Sequence, residues 1–457
     1  MSSRRRVPFL LVLALALIVV GVVSSMAKSV DPSQLPSALA LNGQAESTAL
    51  YCTGFSSAKL GESGRVIFLN TTDHSHVVTI KDVSDAGDAT SKEVTLGAYQ
   101  QFGFDPSVGL HGDYFGVGAQ VSGGGVVGVE VTKDDSSEAP CISTGVTDWF
   151  GAGFDTTVGS NAILSVYNPT ATPAVFNVST FSSSGYVAPA KFQGYAVGAH
   201  SQAEIHLGSE IVNMSDVGVH VLVLRGALDI VGLEQSGPTV SFNTGVARPT
   251  TSAIFPLVTT ANNAAAQIRL SNPGPTPANV TLEVTLPPFH VPNQTVTVAP
   301  YGSAIATITP NPAIPAASYA SVSMHSSAPV IAALATGTGK DVALSAPPSS
   351  EPEYLVGDFT GRGFNAATLT NTSSRPITIT ITTLPGHRGS TSATQSASTQ
   401  VLLGANTSEA LHSAVPGLAN LRGVALIVEA SRPSLVVSLT LPTSPVGMTV
   451  VPALDGR

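Results

Sequence analysis

The sequence predicts an all-β protein, four tandem immunoglobulin-like β-sandwich repeats following an N-terminal transmembrane or signal helix. Three observations carry that expectation. An apolar alternating run closed by Asn, then a polar or Pro-containing turn, then a second alternating run, recurs four times: Val66-Ile67-Phe68-Leu69-Asn70, Ile163 to Asn168, Ile268 to Asn272 and Ala367 to Asn371. The four asparagines stand roughly 100 residues apart, the size of a sandwich domain and far more than a propeller blade or solenoid rung needs. Only 11% of residues are charged while 43% are hydrophobic, and abundant Thr, Ser, Val, Gly and Pro favour pleated strands joined by tight turns over long amphipathic helices.

The first element is Arg4-Arg5-Arg6 followed by the apolar run Val7 to Val23 and then Ser24-Ser25-Met26-Ala27-Lys28. A basic start, an apolar middle and small residues make an export signal with the arginines on the cytoplasmic side. Residues 1–28 are therefore either a signal anchor, a single N-in helix in the cytoplasmic membrane, or a signal peptide cut near Ala27. Both outcomes place the rest of the chain outside the cytoplasm, after a linker at 29–46.

Sandwich 1 is expected over 47–142, with Cys52 and Cys141 near its two ends. In an exported chain two such cysteines form a disulfide more readily than a metal or catalytic pair. Gly123-Gly124-Gly125 marks a hairpin before the closing run Val126 to Val131. Sandwich 2, over 143–246, opens at Asp148-Trp149-Phe150 and repeats the order of runs through Val197-Gly198-Ala199-His200 to the pair Val219–Leu224 and Ile230–Leu233. Sandwich 3, over 247–345, carries Val280–Val284, the turn Ala299-Pro300-Tyr301-Gly302, and Ala328-Pro329 leading into Val330–Leu334. A proline-stiffened linker, 346–353, precedes sandwich 4 at 354–457, with Ile377–Ile381, Leu403-Gly404-Ala405-Asn406 and Arg432-Pro433 in matching places. Each repeat supplies about seven strands, and period-2 alternation assigns one face of each to a core and the other to water.

Ser56-Ser57-Ala58-Lys59 has Ser-x-x-Lys spacing but sits at a strand edge rather than on a helical turn. Gly337-Thr338-Gly339-Lys340 resembles the end of a phosphate loop, yet Leu334 and Asp341 occupy places that motif reserves for Gly and a hydroxyl. In Asp73-His74-Ser75-His76, residues His74 and His76 are the candidates for a metal, since His-x-His on a strand turns both rings to one side and His111 with Asp113 offers further ligands; the alternative is a solvated polar turn. No catalytic residue and no cofactor is assigned. Trp149, the single Trp, is expected in a core, which argues against a dedicated sugar platform. The net charge of -9 without a Lys/Arg cluster beyond residue 6 leaves no basic track for nucleic acid.

The arginine-led segment, Tyr51-Cys52 with Cys141, and the turns Asn168-Pro169 and Asn272-Pro273 together resemble an uncharacterised family of large exported actinobacterial proteins known only as a domain of unknown function. Asn70-Thr71 and Asn371-Thr372 depart from it in lacking proline. The resemblance implies a cell-envelope location near envelope glycosyltransferases and brings no catalytic residues. The expected function is a non-enzymatic envelope scaffold, a membrane-tethered or secreted rod whose partners are cell-envelope proteins or polysaccharide. The alternatives are an envelope polysaccharide-binding protein and a metal-dependent envelope hydrolase.

Overall fold

A computed structural model describes residues 47–57, 64–133, 137–236, 239–259, 266–286, 289–315, 319–338, 341–345, 353–357, 367–384, 397–421, 425–432, 434–443, 447–452 and 454–455. The expected signal or anchor at 1–28, the linker at 29–46, Lys59 and Lys340 lie outside them, as does the 346–353 linker up to Pro352. Among the described residues no helix is long and apolar enough to cross a membrane. The protein is all-β.

The first repeat contains β1 (Ser47–Ser56), β2 (Gly64–Asn70), β3 (His76–Ser84), β4 (Ala89–Leu96), β5 (Gln101–Phe104), β6 (Tyr114–Ser122), β7 (Val126–Thr132) and β8 (Glu138–Pro140). They form two antiparallel sheets in the orders β1-β6-β3-β4 and β5-β2-β7-β8. The second repeat contains β9 (Asp148–Phe154), β10 (Ser160–Asn168), β11 (Ala174–Ser182), β12 (Gly185–Val187), β13 (Tyr195–Val197), β14 (Ser201–His206), β15 (Val217–Arg225), β16 (Asp229–Ser236) and β17 (Thr239–Asn243). Its sheets, β12-β11-β15-β9 with β13 also on β11, and β14-β10-β16-β17, have the same topology.

In the third repeat β18 (Thr250–Thr259), β19 (Ala266–Ser271), β20 (Ala278–Leu286), β21 (Phe289–His290), β22 (Gln294–Val298) and β23 (Ser303–Ile308) precede β24 (Tyr319–Thr338) and β25 (Asp341–Ser345). Here one strand, β24, serves both sheets: Ser321–Ser326 pair with β20, and Ile331–Ala335 pair with β19. Pro329 stands at the crossing, where the other repeats place a hairpin. The fourth repeat contains β26 (Glu353–Gly357), β27 (Ala367–Asn371), β28 (Ile377–Thr383), β29 (Ala397–Leu403), β30 (Ser408–Ala410), the short helix α1 (Leu411–Ala414), β31 (Ala425–Ala430), β32 (Leu435–Thr443), β33 (Gly447–Pro452) and β34 (Leu454–Asp455). Its sheets are β29-β28-β31-β26-β34 and β30-β27-β32-β33.

Each repeat thus carries eight strands or more rather than about seven. The additional strand, β8, β17, β25 or β33, extends the second sheet and forms its innermost edge. Between the two sheets of every repeat lies an apolar core, built for example on Phe68, Phe115 and Val117 in the first and on Trp149, Phe154 and Phe176 in the second.

The expectation that the outer faces are wet fails for the strands at which repeats meet. Strand β20 alternates buried and open positions, but every residue of β7 is buried, as are the last seven of β10. The reason is packing between repeats. Strands β1 and β6 lie against β10 and β14 of the second repeat, and β9 lies against β19 and β24 of the third. Strand β18 lies against β27 and β32 of the fourth. Leu355, Leu384 and Ala425 of the fourth repeat then bury Ile67, Leu69, Val127 and Val129 of the first. The innermost strands approach in the same cycle, β8 to β17 to β25 to β33 and back to β8.

This corrects the rod. A chain of sandwiches joined end to end would leave the first and fourth apart, whereas here an apolar interface joins them. Within the described residues the first sheet of each repeat covers the second sheet of the next, and the fourth repeat closes on the first.

Candidate functional site: clefts and buried acids between the repeats

The same polar motif builds the rim of every repeat. Asn70, Asn168, Asn272 and Asn371 are completely buried at the end of the second strand. Each Nδ2 donates to the carbonyl four residues on, at 2.6–2.9 Å, and to a carbonyl of the following turn: Gly97, Gly198, Ala299 or Gly404. Each Oδ1 accepts the backbone N–H two residues on. That second turn holds Tyr99, His200, Tyr301 and Asn406 at positive φ, between 48° and 56°. Their N–H groups donate back to the first turn at 2.9–3.1 Å. Two rigid turns therefore stand side by side at equivalent places on all four repeats, facing the preceding repeat.

Between repeats 2 and 3 these turns wall a cleft of about 420 Å³. Its floor is the outer face of β9, β15 and β11, where Phe150 pairs with His220 and His220 with Ser179. The Phe150 and His220 rings stack at 4.1 Å and 4°. Asp148 holds the other edge of that imidazole, Oδ1 to Nε2 at 3.0 Å. Asn177 and Gln193 line the cleft beside Ser179. Tyr301 and Pro273 come from the turns of repeat 3, and Tyr186 meets Tyr301 at 5.9 Å between ring centroids. A second cleft of about 550 Å³ occupies the equivalent place between repeats 3 and 4. There Ile254, Ser323 and Glu283 stand where Phe150, His220 and Ser179 stand in the first, opposite Thr372 and Asn406.

The interface between repeats 1 and 2 is closed instead. Tyr167 enters against Gly116 and Gly118, where a Cβ would come within 3 Å of its ring or hydroxyl. Thr53, Ser165 and Gln202 form a closed hydrogen-bonded triangle at 2.7–3.0 Å. Glu130 accepts from Thr53 N at 2.6 Å. Burial, reinforced by Asp229 across the interface, pushes the Glu130 carboxyl well above its ordinary value, and burial does the same to Asp229. Glu204, facing Asp85 and Asp113, is pushed up to about 8, chiefly by burial. Between repeats 2 and 3, Arg269 reaches across to the carbonyl of Ser215. Burial nonetheless raises Asp216 to about 7 and Glu234 well above the carboxylate range.

Of the residues singled out in the sequence, Cys52 and Cys141 form a disulfide. It ties β1 to the segment just after β8, each an edge strand of its sheet. His74 lies in the turn before β3 rather than on a strand, exposed and paired with Asp73. His76 has both nitrogens engaged, with Thr72 Oγ1 at 2.7 Å and the Ser122 carbonyl at 2.9 Å. His111 pairs with Asp88. These histidines do not converge. Among the described residues the one group with metal-ligand spacing is Cys52, Cys141 and Glu130, and its two sulfurs are bonded to each other. Trp149 is fully buried, its Nε1 donating to the Thr244 carbonyl at 2.8 Å. The clefts were missed because their residues come from two repeats, so no local motif contains them.

Comparison with known proteins adds one firm point. Residues 128–231 match DUF5719, a family of unknown function. The DUF5719 match begins in β7 and ends in β16, one full period of the repeat taken out of phase with the sheets. No curated protein is similar in sequence. A solved structure described as a tetra-tandem repeat in the extending region of a large adhesion protein is similar at 13% identity, over 85% of this chain and 94% of that one, with a TM-score of 0.11. At that score the likeness carries no argument.

Proposed function

We propose that this protein is a non-enzymatic scaffold of the cell envelope, built from four immunoglobulin-like sandwiches and exported past the cytoplasmic membrane by its arginine-led N-terminal segment. The observation that carries the reading is how the inter-repeat faces are used. Glu130, Asp229 and Glu234, whose raised pKa values would otherwise suggest general acids, are at most 2% exposed. Their burial where repeats meet suits the joining of repeats. The open ends of the interfaces are shallow clefts with rigid walls, which suits holding a partner. The disulfide supports an oxidising compartment. His74, paired with Asp73, and His76, held by Thr72 and the Ser122 carbonyl, favour the scaffold reading over the metal-hydrolase alternative.

The test is proximity labelling by the full-length protein in its native cell. Enrichment of envelope proteins or polysaccharide-linked species is expected. Neighbours drawn from the cytoplasm would contradict the reading.

A further inference from the structure

We propose that the cleft between repeats 2 and 3 is a binding site for a neutral saccharide. This deepens the scaffold reading by naming the chemical class one of its clefts holds. Sugar rings present two kinds of surface: C–H faces that pack on aromatic rings, and a belt of hydroxyls that both donate and accept. The cleft supplies both. Tyr186 is 53% exposed and Tyr301 is 39% exposed, an arrangement that water disfavours and an apolar sugar face covers. Their rings meet at 60°, so together they form an open corner instead of stacking shut.

Polar groups stand on the adjoining floor. Asn177 spends its Oδ1 on the Gly194 N–H at 2.7 Å, which fixes the amide and leaves Nδ2 to donate. Gln193 commits Nε2 to the Val178 carbonyl at 2.7 Å, which leaves Oε1 to accept. Ser179 adds a hydroxyl. One donor, one acceptor and one group that does either match the belt of hydroxyls on a sugar.

Charge excludes the commoner anions. No Lys or Arg lines the cleft, and the imidazole of His220 is already held by Asp148. A phosphate or sulfate would find no countercharge. A volume of about 420 Å³ is within the range of small-ligand pockets, roughly 300–1,000 Å³.

The test uses full-length protein with maltohexaose, cellohexaose, mannohexaose and arabinohexaose as probes, read by saturation-transfer NMR and calorimetry, with a polyproline decapeptide as competitor. At least one hexasaccharide is expected to bind. Tyr186→Ala and Asn177→Ala should each weaken it by about tenfold, equivalent to roughly 1.4 kcal/mol, with an unchanged melting temperature in Tyr186→Ala, whose side chain is at the surface. Binding of no hexasaccharide at millimolar concentration, binding unaffected by both variants, or preference for the polyproline peptide would each overturn the saccharide site. Any of these results with an intact set of envelope neighbours in proximity labelling leaves the scaffold reading standing, so the two fail separately.

Discussion

Asn70, Asn168, Asn272 and Asn371 each do something no other side chain of that length does. One amide gives two donors to two turns and one acceptor to a third backbone group, all out of water. Asp has the shape without the donors, and Ala has neither. Removing such a group leaves carbonyls and an N–H buried and unpaired, each costing about 1–3 kcal/mol. Asn272→Ala should therefore destabilise the protein by about 3 kcal/mol in denaturant unfolding, and Asn272→Asp by more, because it buries a charge against two carbonyls.

The buried acids give a second residue-scale expectation. Glu204, raised to about 8, and Asp216, raised to about 7, titrate near 4 once unfolded. The folded state holds their protons more tightly, so their contribution to stability is complete below about pH 4. It falls as pH rises from about 4 until the folded-state values of about 7 and 8 are passed, and is level above. Melting temperature should decline across that window, and Glu204→Gln, which keeps the site neutral at every pH, should make the decline shallower. A decline unchanged in Glu204→Gln would remove Glu204 from the account.

At the scale of elements, strands and their order were legible because β runs such as Ile377-Thr378-Ile379-Thr380-Ile381 alternate visibly, and buried and open positions alternate along β28 in the structure as well. The disulfide was legible from compartment logic. The burial of both faces was present in the letters but misread. Val126-Val127-Gly128-Val129-Glu130-Val131 is a near-continuous apolar run, the mark of a strand covered on two sides, although period-2 alternation alone assigns one of its faces to water. Glu130 is instead buried at a joint. The clefts stayed hidden for a different reason. Asn177 and Tyr301 lie far apart in sequence, and only the packing of one repeat on another brings them to one place.

The disulfide also makes an element-scale prediction. Cys52 and Cys141, separated by 89 residues, close a loop that constrains the unfolded chain by about 4–5 kcal/mol in the chain-entropy picture. Cys52→Ala with Cys141→Ala should lower stability by that order. The Cys141 Sγ stands 2.9 Å from where a Cβ on Gly128 would lie, so a larger residue at Gly128 should destabilise separately, by crowding. Unfolding curves unchanged by the double cysteine substitution would mean that the bridge does not constrain the ensemble.

For the whole molecule the decisive feature is closure. Repeats 1 to 2, 2 to 3 and 3 to 4 are joined by sequence and would touch under many arrangements. Contact between repeat 4 and repeat 1 follows only if the chain returns on itself. That return buries Ile67, Leu69, Val127 and Val129 beneath Leu355, Leu384 and Ala425, with Tyr99 and Ile427 at the margin. It covers both faces of strands such as β7, whose every residue is buried.

Tyr99 is the natural probe of that contact, being half-buried and packed against the cluster. Replacing it with p-benzoylphenylalanine in the full-length protein, irradiating at dilution and mapping the crosslinked peptides is the most direct measurement. Crosslinks within one chain to the segment around Ala425 and Ile427 are the expected result. Crosslinks confined to residues 47–142, or formed only between separate molecules, would contradict closure of the fourth repeat on the first.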